Sequence, residues 1–167
     1  MNVWTLSRRK FSAAISGGLG LIALSTSNHA FAKDSALPVP TSLSVVAKQA
    51  ATKGEPLVLL ITLPGCPYCE MVRRNYLLPG RKDDGLQAWQ ITVNDRAALL
   101  TGFDGKATSA AAQAQAWKAT FTPTVLFFGP AGQELAERLV GAGIPDFYGA
   151  YLDERLLTAR KALLALR

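Results

Sequence analysis

The chain has only two cysteines, and they stand three positions apart in Cys66-Pro67-Tyr68-Cys69. A disulfide stabilises a fold mainly by closing a long loop of the unfolded chain, and a bridge between these two closes almost none. Stability must therefore come from a buried apolar core, for which 167 residues with 49% hydrophobic content suffice. The pair comes just after the apolar run Leu57-Val58-Leu59-Leu60-Ile61 and the breaker Pro64-Gly65, and it opens a stretch with helical character. At such a strand-to-helix junction, two cysteines separated by two residues read as a dithiol that cycles with a disulfide. The competing readings are an incidental buried pair and a pair that holds Cu(I) on two thiolates. The second finds no supporting thioether outside the motif, because the two methionines are Met1 and Met71.

The first 32 residues have the pattern of an export address. Ser7-Arg8-Arg9-Lys10-Phe11 precedes a mildly apolar stretch from Ala13 to Leu24, and Ala30-Phe31-Ala32 supplies small residues for a signal peptidase. The arrangement resembles a twin-arginine signal, and the apolar stretch falls short of the ~18 to 20 residues that a spanning helix needs. Cleavage after Ala32 leaves 135 residues, Lys33 to Arg167, and removes Arg8, Arg9 and Lys10, so the net charge of +6 becomes +3. The remaining cations are scattered and have no interleaved aromatic residues, which argues against a nucleic-acid partner. The single histidine, His29, leaves with the same segment. Without histidine the mature chain has no Cys-His or Ser-His-Asp machinery and no imidazole ligands for zinc.

Beyond a linker expected at residues 33–40, a domain is expected over 41–167. Thr41 or Ser42 caps a helix that ends at Gly54, with Leu43, Val46 and Ala50 on one face. Pro56 to Leu63 is a buried strand, and a helix from Pro67 to Leu78 ends at Pro79-Gly80. Trp89 to Val93 is a second strand, Asp104-Gly105-Lys106 a turn, and Ala107 to Ala119 a helix. The strand Thr124 to Phe128 turns at Pro130-Ala131-Gly132-Gln133 into an antiparallel strand from Glu134 to Val140. A closing helix opens at Pro145-Asp146 and repeats Tyr148, Leu152, Leu156, Ala159 and Leu163 at helical spacing. Alternating units followed by a hairpin predict an α/β fold: a mixed sheet of about four strands with helices on both faces. Trp89, Trp117, Phe127 and Phe128 are assigned to core packing, and Arg73 and Arg74 to a solvated helix face.

In the dithiol, Cys66 falls at the helix start, where free N–H groups and the helix dipole favour a thiolate, and Cys69 lies one turn on. Cys66 is the expected nucleophile and Cys69 the resolving thiol. The dipole supplies at most about 2 kcal/mol, roughly 1.5 pKa units, so hydrogen bonds must add to it. Pro67 suits the first helical position. Glu70, four residues beyond Cys66, stands where a carboxylate opposes the thiolate, and Glu70→Lys is expected to lower the Cys66 pKa.

These residues resemble the thioredoxin superfamily. Gly65-Cys66-Pro67-Tyr68-Cys69 after a buried strand, and Thr122-Pro123-Thr124 opening another, match its two signature sites. The tetrad alone has the glutaredoxin form, whereas Phe103-Asp104-Gly105-Lys106, Phe121-Thr122-Pro123-Thr124-Val125-Leu126-Phe127-Phe128 and Gly132 look more like the exported thioredoxin-like proteins of bacterial sulfur-oxidation clusters, the SoxW and SoxS types. The likeness runs from about Pro56 to Leu166. It implies a thioredoxin-like fold, a cis Pro123 facing the Cys66 sulfur, and a Thr122 backbone that pairs with an extended substrate, Tyr68 adding an apolar contact at the rim. Two positions depart from the usual pattern. Leu60 stands where thioredoxins bury an Asp, so their proton relay is absent, and Gly65 stands where they carry Trp. The Gly-Gly-Asp segment of a glutathione site has no match.

The expectation is a periplasmic thiol-disulfide oxidoreductase, with the Cys66–Cys69 disulfide as its redox group and no separate cofactor. It would act as a monomer and reduce an exported protein, a sulfur-oxidation component among the candidates. Its other partners would be the twin-arginine translocase and a membrane thiol carrier that supplies electrons. The rival readings are an oxidase that donates its disulfide and a non-catalytic module that binds Cu(I) or a partner through its thiols.

Overall fold

In a computed structural model of the chain, residues 36–143 and 145–166 are described, and the export address expected over residues 1–32 lies outside them. The fold grows from β1 (Leu57–Thr62), all six residues of which are buried. A strand projects alternate side chains to opposite faces, so burial of every residue requires cover on both. Val58 and Leu60 enter one apolar cluster, and Leu57, Leu59 and Ile61 enter another. β5 (Thr124–Phe128) is likewise wholly buried and pairs antiparallel with β1, Leu59 opposite Leu126 and Leu60 opposite Val125. β2 (Ala88–Thr92) lies parallel on the other side of β1. The two-residue β6 (Leu139–Val140) pairs antiparallel with β5, completing the order β2-β1-β5-β6.

Helices cover both faces. α1 (Leu43–Thr52) is capped by the Ser42 hydroxyl and presents Leu43, Val46, Ala47 and Ala50 to the cluster below Leu59. α4 (Ala110–Ala116) adds Ala110 and Ala114 there. The opposite face is covered by α2 (Pro67–Val72), the π-helical turn Arg73–Leu77 that continues it, and α5 (Tyr148–Leu164), which follows a 3₁₀ turn at Pro145–Phe147. α5 buries Tyr148, Leu152, Leu156, Ala159 and Leu163, the stripe expected from its periodicity.

Four local features differ from the sequence reading. The helix after the dithiol runs through Pro79-Gly80 as α3 (Leu78–Asp83). The π turn makes room for the proline: Leu78 N–H reaches back five residues to the Arg73 carbonyl, so Pro79 enters as the start of a new helical segment, where a missing N–H costs little. The alanine-rich helix begins at Ala110, because residues 107–109 form β4 (Ala107–Ser109) against β3 (Leu99–Thr101). Pairing after the Gly132 turn is confined to a bridge at Glu134 and the short β6. Finally, the segment from Ala36 to Pro40 is packed on the domain. Leu37 is buried in the α5-side cluster, and the Pro38 carbonyl accepts a hydrogen bond from Gln90 N at 3.0 Å.

Candidate active site

Topology brings the two signature segments together. β1 ends at Thr62 and leads through Leu63-Pro64-Gly65 to Cys66, while Thr124 at the start of β5 pairs with Ile61. The residues just before β5 therefore lie beside the loop that carries Cys66, although 56 positions separate Thr122 from it. Gly65 has φ +74°, and a Cβ added to it would meet nothing within 4 Å. The backbone conformation, rather than a shortage of space, favours glycine at this position.

Cys66 and Cys69 form a disulfide with Cα atoms 5.3 Å apart. Cys66 is the N-cap of α2, and its Sγ accepts a hydrogen bond from Cys69 N at 3.2 Å. Pro67 takes the first helical position. The two sulfurs differ in access: Cys66 is half-buried at the surface, whereas Cys69 is 0% exposed. Thr122 Oγ1 lies 4.0 Å from Cys66 Sγ, and the Thr122–Pro123 peptide is cis. Tyr68 is exposed on the rim, as is Phe121, which sequence reasoning did not single out. The Phe121 ring lies 3.4 Å from where a Cβ on Gly141 would sit, and Gly141 N is bonded to the Pro123 carbonyl at 2.7 Å. Its aromatic character beside Thr122-Pro123 was the available signal.

Arg73 departs most from expectation. The Glu70 carboxylate is committed to two arginines, Oε1 to Arg73 Nη1 and Oε2 to Arg74 Nε at 3.3 Å. Arg74 lies at the surface, but Arg73 is buried at 7% exposure, so its assignment to a solvated face is corrected. Arg73 also donates from Nε to Gln90 Oε1 at 2.7 Å and from Nη2 to Thr62 Oγ1 at 2.9 Å. Three good acceptors offset the cost of removing a guanidinium from water. Leu60, at the site of the thioredoxin aspartate, is fully buried in the apolar core.

Among the described residues, no three His, Cys, Asp or Glu side chains converge in a way that could hold a metal ion, and no helix is long and apolar enough to cross a membrane.

The sequence model of the Thioredoxin-like domain family matches residues 43–155, and the chain belongs to that family. A disulfide-forming Cys-x-x-Cys at the strand-to-helix junction of this fold makes it a thiol-disulfide oxidoreductase. Solved structures to which the chain is similar include mitochondrial thioredoxin 3 of Saccharomyces cerevisiae, 16% identical over 72% of this chain and 93% of that one, with a TM-score of 0.48. Thioredoxin O2 of Arabidopsis thaliana is 14% identical over 72% and 96%, also at 0.48. The periplasmic thioredoxin SoxS of Paracoccus pantotrophus is 20% identical over 63% and 99%, with a TM-score of 0.41. No curated protein sequence matches the chain.

Proposed function

We propose that the protein is an exported reductase of disulfides on other exported proteins, with sulfur-oxidation components among its candidate substrates. The observation that carries the direction of attack is the unequal access of the two sulfurs, Cys66 at the surface beside Thr122 and Cys69 fully enclosed. In the reduced state the Cys66 thiolate attacks a substrate disulfide; one substrate sulfur leaves as a thiolate and the other stays joined to Cys66. The Cys69 thiol loses its proton and attacks the Cys66 sulfur, which releases the second substrate thiolate and closes the Cys66–Cys69 disulfide. Two electrons have then passed to the substrate, and a membrane dithiol carrier restores them.

The backbone at Thr122-Pro123 is the platform on which a flexible, extended substrate segment adds by main-chain hydrogen bonds, with Tyr68 supplying apolar contact at the rim. Export by the twin-arginine route, with cleavage near Ala32, rests on Ser7-Arg8-Arg9-Lys10-Phe11 and the apolar stretch that follows. A reductase in an oxidising compartment needs electrons from outside it, hence the carrier.

A Cys69→Ser variant, which lacks the resolving thiol, is expected to accumulate reducible adducts with periplasmic proteins through Cys66, and Cys66→Ser added to it should abolish them. No adduct from a Cys66 that still alkylates readily would overturn the reading. The reduction potential gives the direction: a value near thioredoxin's, about −270 mV, is expected, and one near about −120 mV would assign an oxidase.

A further inference from the structure

Arg73 is the one charged side chain that is buried among the described residues, and its partners bracket the reactive cysteine. Thr62, which accepts from Nη2, lies four residues before Cys66, and Glu70, which pairs with Nη1, lies four residues after it. The third partner, Gln90, fastens the guanidinium to β2. Glu70 belongs to the opening turn of α2, because its amide donates to the Cys66 carbonyl at 3.1 Å. One guanidinium therefore ties together the strand end that delivers Cys66, the helix start that receives it, and the neighbouring strand.

We infer that Arg73 is a positioning residue of the dithiol: it fixes both flanks of Cys66 and holds the Glu70 carboxylate in an ion pair, so that the nearby helix presents no uncompensated negative charge to the thiolate. Without Arg73, a carboxylate one helical turn from the sulfur would disfavour its ionisation, since like charges at that spacing repel. Arg74 does not replace it, because that side chain is 64% exposed and its pairing is screened by water. The other groups around Arg73, Thr62 and Gln90, carry no charge. From β5's side Cys66 meets Thr122, which is uncharged, and Asp95 in the loop after β2 is turned to the Ala97 and Ala98 amides at 2.9 and 2.8 Å. Glu70 is thus the carboxylate that Arg73 governs.

The inference rests on the dithiol reading, and the two fail separately. Alkylation of Cys66 as a function of pH is measured on the reduced full-length protein and its variants, with thermal unfolding measured in parallel. If Cys66 in the unaltered protein alkylates slowly at every pH near neutrality, the dithiol reading fails. If it alkylates readily, Arg73→Met is expected to raise its apparent pKa by about one unit and to slow the reaction near neutrality up to about tenfold. Adding Glu70→Gln should bring the profile most of the way back. A purely structural Arg73 would lower the unfolding temperature and leave the profile in place, and that result overturns the inference. Should Arg73→Met fail to fold, Glu70→Gln alone decides: it keeps an acceptor for the guanidinium and removes the charge, so it should lower the apparent pKa. A profile that overlays the unaltered one refutes the inference.

Discussion

On the α1/α4 face of the sheet, Leu43, Val46, Leu59, Ile61 and Phe128 pack with no buried charge among them, the buried polar groups there being the Thr124 hydroxyl and the Trp89 indole N–H, and a ring stack of Phe103, Trp117 and Phe128 has centroids 4.8 to 6.2 Å apart. On the α2/α5 face, strands of the same kind carry Val58, Leu60, Val125 and Phe127, but that side also buries Arg73 and the hydroxyl of Tyr148. A core built for stability alone has little use for either, since each polar group adds a desolvation cost that hydrogen bonds at best offset. The one buried charge lies on the face that carries the dithiol helix. Stability and chemistry are thereby assigned to opposite sides of one sheet, and substitutions should separate them.

Phe127 and Phe128 are neighbours in β5 that point to opposite faces, so they offer the strongest test. Phe128→Ala should cost about 3 to 5 kcal/mol of stability, read from denaturant unfolding, while the folded protein keeps its Cys66 alkylation rate. A large change in that rate at matched folded fraction would break the division of labour. Gly132→Ala should cost about 2 kcal/mol, also without a change in sulfur reactivity. Gly132 has φ +85°, and a Cβ there would lie 2.4 Å from Phe103 Cγ, pushing on the ring stack from outside.

Tyr148→Phe should have the smallest effect on the folded state near neutrality, within about 1 kcal/mol, because the buried hydroxyl makes no hydrogen bond with the protein. Its signature is pH dependence. Burial, and then the neighbouring Tyr76, raise the Tyr148 pKa well above its ordinary 10.0. The folded state thus holds this proton more tightly than the unfolded state. The associated stability is complete below pH 10 and is lost as pH rises above it towards the folded-state value. Unfolding temperatures measured across that range should fall less steeply for Tyr148→Phe than for the unaltered protein. Parallel curves would mean that this face tolerates its polar groups for another reason.

Elements with a long, self-contained pattern were legible in the sequence. β5 keeps its expected bounds, β1 loses one residue at each end, and α5 buries the five residues that its spacing marked. The strand-to-helix placement of Cys66 and Cys69 was legible for the same reason, since breaker, cysteine and helix start are neighbours in the chain. Non-local features were not. Arg73 is buried by Thr62 and Gln90, 11 and 17 positions away, and from the sequence only its helical neighbour Glu70 was visible. β3 and β4 have three residues each, too few to show a period of two against an alanine-rich background. Pro79 and Gly80 are strong stop signals, and they were overridden because a widened turn resets the hydrogen-bond ladder just before them.

The Cys66 sulfur is also the peg on which its own helix hangs, through the Cys69 amide. An anionic sulfur is a better acceptor than a neutral one, so ionisation of the reduced Cys66 would tighten this attachment and closure of the disulfide would release it. Oxidation state is thereby transcribed into the firmness of a single peptide group.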